Sequence, residues 1–375
     1  MSRRIKQRKT QASWPLVWDP STEVVFDEDA TQDRFEPKNF ESAAWNRPLN
    51  ADERHELLIY DVSRPDYRFR RLDQGGATLV RDAGGFGYNK NPHNVALQTA
   101  GKLPKSGASE RLQQIFAYGH WIEAVNKSHH REKSQYRVED TGFWANPAFE
   151  GNGDKDEWFK ENWPFLYARL RGEHDALPEE IRNDCHALYV ERRDAVVDMH
   201  WLVTTPDAVI HTDWDANAPK PYDALHDPEV YGFRGVGECK GHINNTLSAF
   251  SNRGALVQMA AQSLCMMKDE EYETGDTVPW GHLLSSSCVT PLSRYWERPG
   301  SRKLFHMDAW MVKFTGHNLF FELMEVMRRF KETVDSMRGK TLAEAKLIPF
   351  KVETVFSLQE IEIEHLYTIQ ADSVE

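Results

Sequence analysis

The sequence predicts a mixed α/β fold: a mixed β-sheet core flanked by helices, with N-terminal and inserted elaborations. Three observations lead there. Apolar residues recur at helical spacing in three separated segments, starting near Ser109, Leu247 and Asn318. Strand-like runs lie between and after them. The 375 residues are 40% hydrophobic, which supplies a core for one large domain with elaborations or two modest ones.

Residues 1–55 are polar, acidic in places (Asp27-Glu28-Asp29) and without periodicity, and are expected to form an arm. The stretch from Gly75 to Lys105 is rich in Gly, Asn and Pro and reads as loop. A helix is expected from Ser109, whose hydroxyl suits an N-cap, with Leu112, Ile115, Phe116 and Ile122 on one face. An aromatic insertion follows at about 136–180, including Trp144, Trp158, Phe159, Trp163 and Phe165. It is expected to be loop-rich and to form a local hydrophobic cluster. Strands are expected at 187–191 and 195–203, then through Pro206-Asp207 to Ile210, and from Gly232 to Lys240. A helix over 247–267, a strand over 306–314 and a helix over 318–337, stopped by Gly339, complete the body at 56–350. Residues 351–375 are set apart as a C-terminal extension.

Several classes are excluded or disfavoured. No stretch approaches the roughly 18 consecutive apolar residues of a membrane helix, and the basic N-terminus lacks the apolar run of a secretory signal. Cys185, Cys239, Cys265 and Cys288 are widely spaced without a CxxC pair, which fits an intracellular, reducing compartment, cytoplasm or nucleus. No Walker-type loop and no G-x-S-x-G elbow occurs, the latter leaving Ser285-Ser286-Ser287 without the setting of a nucleophile. The net charge of −12 speaks against non-specific grip on a long duplex, although it does not fix the potential inside a cleft. The basic clusters at Arg68-Phe69-Arg70-Arg71, around His129-His130-Arg131, and at Arg328-Arg329 are expected to be solvated faces.

One constellation carries chemistry. Hydrolysis of a phosphodiester with Mg²⁺ requires hard oxygen ligands fixed close together, with an ammonium to orient water or stabilise developing charge. Asp207 and Glu238 lie on successive strand-like runs, and Lys240 follows Glu238 by two, so both project from one strand face. Other E-x-K triplets, at Glu36 and Glu344, sit in a polar arm and a helix-like stretch. The glycines beside Glu238, Gly235 and Gly237, are expected to let a ligand approach the backbone.

Pro206-Asp207 followed by Glu238-Cys239-Lys240 resembles the PD-(D/E)XK nuclease superfamily. Gly119-His120-Trp121-Ile122-Glu123 is similar to the G-x-x-x-E element of its lambda exonuclease and RecB-like branch, and Gln258 stands where that branch carries a glutamine. The matched elements span about 109–267. Two departures stand out: Gln262 occupies a position usually held by tyrosine, and no phosphate-binding Arg and Ser can be matched near the N-terminus. The resemblance implies a restriction-endonuclease-like core and one or two Mg²⁺ or Mn²⁺ ions held by Glu123, Asp207, Glu238 and the carbonyl of Cys239. Lys240 would orient or activate water, with Gln258 in support. It further implies a nucleic-acid substrate, with DNA favoured, and no membrane partner; a homo-oligomer or protein partner is compatible with it. The decapping family of the same superfamily also places G-x-x-x-E before its acid pair, so an RNA-end nuclease is the alternative, with a catalytically silent binding protein behind it.

Overall fold

The computed structural model describes residues 76–87, 91–103, 110–134, 136–139, 144–146, 149, 151, 153–199, 201–211, 234–242, 248–266, 278–288 and 304–372. The N-terminal arm and the Arg68–Arg71 cluster lie outside them. Helices α1 (Ala77–Ala83), α2 (Pro92–Thr99) and α3 (Glu110–Ser134) precede the short strands β1 (Arg137–Glu139) and β2 (Trp144–Ala145). Helices α4 (Lys155–Asn162), α5 (Pro164–Ala176) and α6 (Glu179–Val197) lead to β3 (Val203–Thr204), β4 (Ala208–His211) and β5 (Arg234–His242). A 3-10 turn (Ala249–Ser251), α7 (Arg253–Met266), β6 (Trp280–Cys288), β7 (Leu304–Phe314), α8 (Asn318–Arg338), α9 (Leu342–Ala345) and β8 (Ile361–Asp372) follow.

Six strands form one mixed sheet in the order β1-β4-β5-β6-β7-β8. Only the β5–β6 pair is parallel; the others are antiparallel. A parallel neighbour needs a crossover, and α7 lies within it. Every residue of α7 from Ala255 to Met266 is buried, as a helix enclosed on all sides must be. With α8 and the sheet residues Val236, Leu283 and Val312, α7 makes the main core. On the opposite face, Ile122 and Val125 of α3 pack against Cys239, Leu284, Phe305, Met307 and Tyr367.

Four expectations are corrected. The stretch from Gly75 to Lys105, expected as loop, carries α1 and α2. The runs at 187–191 and 195–203 are not strands: they fall mostly within α6, where Tyr189 and Val196, seven apart, turn to the core with Ala195 and Val197. Alternation over so short a run does not separate a strand from a helix end. The insertion at 136–180 is largely helical, and Phe159, Trp163 and Phe165 are part of the main core. Residues 361–372, set apart with the extension, are the edge strand β8, paired along all of β7. β6 went unread because its Ser285, Ser286 and Ser287 are polar yet buried.

The glycines of the central strands serve packing. A Cβ at Gly235 would lie 2.6 Å from the Trp280 ring, and one at Gly237 would lie 2.9 Å from the Ala208 Cβ. This corrects the expected ligand approach, because the two glycines alternate with Glu238 and face away from it. At Gly281 a Cβ would lie 2.3 Å from the Val236 carbonyl oxygen and 2.9 Å from Met259 Cε. Gly281→Ala is therefore expected to lower the urea midpoint by an amount equivalent to about 3 kcal/mol or more, at the upper end of overpacking costs. An unchanged midpoint would mean that α7 is not seated on β6 this tightly.

Candidate active site

The site is built where the start of β4, the middle of β5, α3 and α7 meet. β4 and β5 pair antiparallel with Ala208 opposite Gly237. Asp207, which precedes β4 instead of ending a strand, is thereby brought beside Glu238 and Cys239. Its Oδ2 accepts a hydrogen bond from the Cys239 backbone N–H at 2.7 Å, fixing the carboxylate across the two strands. Glu238 has no exposure, and its two oxygens have different partners. Oε1 is engaged by the Lys240 ammonium, two residues along the same strand face. Oε2 accepts from the Gln262 amide at 2.8 Å. The Lys240 ammonium also reaches the Gln258 amide oxygen at 3.4 Å, at the outer edge of hydrogen bonding.

Gln258 and Gln262 are four apart on α7 and so stand one turn above each other over the strand. Gln262 donates from its side-chain amide to the buried Glu238 carboxylate. The amide's assignment follows from that contact, since only its NH₂ side can donate.

From the other side of the sheet α3 contributes Glu123. Its Oε1 pairs with the Lys127 ammonium at 2.8 Å, one helical turn on. The same ammonium donates to the Asp207 carbonyl oxygen at 3.1 Å, so Lys127 ties α3 to the start of β4. Lys127 was not singled out in the sequence, and Gln262 only as a departure from the resembled pattern. The signal for Lys127 is its i,i+4 spacing from Glu123, which becomes informative once the buried face of α3 is known.

Electrostatics bind the set together. Burial pushes Glu238 up to about 7, aided by the negative charge of Asp207 and opposed by Lys240. Burial and Asp207 likewise push Glu123 up to about 7 against the pull of Lys127. For Lys240, burial works against the charged form, but Glu238 and Asp207 outweigh it and hold the ammonium protonated. Arg81 of α1 opposes this; its side chain packs at Gly254, four residues before Gln258 on α7. The Cys239 thiol is pushed well up by burial and the surrounding carboxylates, which leaves it a neutral packing group.

Among the described residues, no three His, Cys, Asp or Glu side chains are closed around one point as metal ligands. Glu123 and Glu238 instead each hold a lysine. The donor set nevertheless has the chemistry of a hard-cation site: it offers carboxylate oxygens, two of which burial, and after it the charge of Asp207, raises to about 7, and a cation would favour their ionised form.

The sequence left His129-His130 on the surface, but His130 is fully buried, with its ring between Tyr367 and His282. Cys185, Cys239 and Cys265 are free thiols. No helix among the described residues is long and apolar enough to cross a membrane. No protein-family model matches the chain, and no curated protein matches it.

Proposed function

We propose that the chain is a divalent-metal-dependent phosphodiester hydrolase, and within that class a PD-(D/E)XK nuclease that processes DNA ends. The observation that carries this reading is the pairing of the Lys240 ammonium with the fully buried Glu238 beside a strand-fixed Asp207. Burying a carboxylate and an ammonium together is costly, and such groups concentrate at functional sites. The element order supports a restriction-endonuclease-like core: α3, the antiparallel strands β1, β4 and β5, the crossover helix α7, then parallel β6.

The residues that would hold Mg²⁺ or Mn²⁺ are Asp207, Glu238, the Cys239 carbonyl and Glu123. When bound, the ion supplies charge to the scissile phosphate and lowers the pKa of an attacking water. Lys240 then turns from Glu238 to orient that water or to meet charge on the phosphate oxygens. Gln262 keeps Glu238 aimed through its second oxygen as the lysine moves, and Gln258 limits where the ammonium goes. Arg81, 27% exposed and paired with Asp82 at 2.8 Å, is the group we assign to hold a neighbouring phosphate. DNA is preferred because of the G-x-x-x-E and glutamine elements described above.

The test is cleavage of end-labelled single- and double-stranded DNA and RNA with Mn²⁺, Mg²⁺ or EDTA. DNA is expected to shorten with either metal, not with EDTA, and not with Asp207→Asn. Cleavage that persists in EDTA, or in Asp207→Asn at the wild-type rate, would sink the assignment. Metal-dependent cleavage of RNA alone would replace DNA by RNA ends as the substrate.

A further inference from the structure

Phe250 lies in the 3-10 turn that leads into α7 and is 62% exposed, while Ala249 beside it is buried in the main core. A single exposed apolar residue says little, but this one is the outermost of three rings. It meets Trp310 of β7 edge to face, with centroids 6.0 Å apart and planes at 81°. Trp310, partly buried against the main core, meets His365 of β8 at 4.7 Å. His365 is braced in turn: its Nε2 lies 3.1 Å from Thr368 Oγ1 and 3.5 Å from the Asp308 carboxylate. The rings make a fixed wall with Phe250 at its open end.

The sheet sets that wall beside the candidate site. Glu238 pairs with Leu283, Leu283 with Trp310, and Trp310 with His365. Side chains paired in this way project from one face, so the rings share a face with Glu238 and Lys240. β7 lies two strands from β5, about 10 Å away at the usual strand spacing. Between them Leu283 is buried in the core that α7 makes, and the N-terminal end of α7 carries the connection. Gln258, which meets Lys240, is on its second turn; Arg253, exposed, is on its first; Phe250 stands just before it.

Exposed rings beside a guanidinium suit unpaired nucleic acid: a base stacks on the ring and the arginine meets a phosphate. A duplex hides the faces of its bases except at its ends. It must be gripped through its phosphates, for which a chain of net charge −12 is poorly furnished. Stacking does not require that charge.

Resting on the nuclease reading above, we propose that Phe250, backed by Trp310 and His365, stacks on an unpaired base of the strand being cut. The substrate class is then single-stranded DNA or the unpaired end of a duplex, with Arg253 on a phosphate next to the stacked base.

The experiment is fluorescence anisotropy of the full chain in EDTA with three labelled DNAs: a short single strand, the same strand made abasic, and its blunt duplex. Wild type is expected to bind the strand with bases more tightly than the abasic strand or the blunt duplex. Phe250→Ala is expected to cut the ratio between the first two by a factor of about 5 to 150, the worth of one stacked base. Phe250→Trp is expected to preserve the ratio. At so exposed a position neither substitution should unfold the chain. A ratio that Phe250→Ala leaves unchanged, or a blunt duplex bound more tightly than the single strand, overturns the proposal. So does a wild-type dimer that Phe250→Ala turns into a monomer in sedimentation, which would assign the ring to a contact between copies of the chain. A ring that merely braced the turn would lower the melting temperature of the alanine variant without changing the ratio. None of these failures touches metal-dependent cleavage or its loss in Asp207→Asn. Conversely, a chain that binds as expected and cuts nothing with Mn²⁺ or Mg²⁺ overturns the nuclease reading and leaves the stacking ring in place.

Discussion

Lys240→Ala is expected to reduce metal-dependent cleavage by a factor on the order of 10²–10⁴, the range removed with a positioned proton-transfer group. The loss should fall on kcat, because the ammonium acts on the attacking water or on charge that develops in the transition state. The variant also leaves the Glu238 carboxylate, which is fully buried, with Gln262 as its remaining side-chain partner. Removing one partner of a buried ion pair costs about 3–5 kcal/mol when the other stays charged. Glu238 has an escape, since burial and Asp207 already push it up to about 7 and the loss of Lys240 pushes it further. Protonated, it is buried cheaply. The stability deficit of Lys240→Ala is therefore expected to be small near pH 5 and to grow as the pH rises through 7 and beyond. Urea unfolding at pH 5.5 and 8.5 measures it. Equal deficits at the two values would show that Glu238 does not depend on this ammonium, and cleavage near the wild-type rate would remove Lys240 from the chemistry.

The second large effect concerns pH and the wild-type fold. Burial, with Arg131 beside it, drives His130 down from 6.5 to about 3. Between those values the unfolded chain binds a proton that the folded one refuses, so the contribution is fully present above pH 6.5 and is lost as the pH falls toward 3. At about 1.4 kcal/mol per pH unit, it is worth on the order of 5 kcal/mol. Glu123 and Glu238 act in the opposite sense. Raised from 4.5 to about 7, they bind protons in the folded state first, so their contribution is present below 4.5 and is lost as the pH rises through 7. The two trends oppose each other between about pH 4.5 and 6.5. Below 4.5 these two carboxyls no longer oppose the histidine slope, and stability is expected to fall steeply. His130→Gln should flatten that acid limb, which urea unfolding from pH 7 to pH 3.5 would show. An acid limb of unchanged slope in the variant would assign it to other groups.

The residues that meet at the candidate site were more legible in the sequence than the elements around them. Asp207, Glu238 and Lys240 were readable because a carboxylate and an ammonium two apart on a strand must share a face. Glu123 and Gln258 came from the resemblance, and α3 and α7 carry both to the same place. Lys127, and the contact that Gln262 makes, were not legible, since which turn of a helix faces a buried carboxylate depends on packing over long sequence distances. The same cause hid β6 and β8. A strand with three serines, or one alternating Glu and Ile from Ile361 to Glu364, shows its place only when the partners that cover or pair with it are known. The misread 187–203 stretch failed for a local reason: Tyr189, Val190, Val196 and Val197 favour strands by type, whereas packing against α5 and α8 makes them helix.

The contact between His130 and Tyr367 joins positions 237 apart in the chain. During synthesis the α3 histidine emerges long before its partner in β8. Until then the buried imidazole lacks the tyrosine hydroxyl, and β7 presents an unpaired edge over its whole length. The nascent chain is thus open to pairing with other strands until β8 arrives, and closes this side of its sheet only then. Its yield in cells should depend on how fast β8 follows β7.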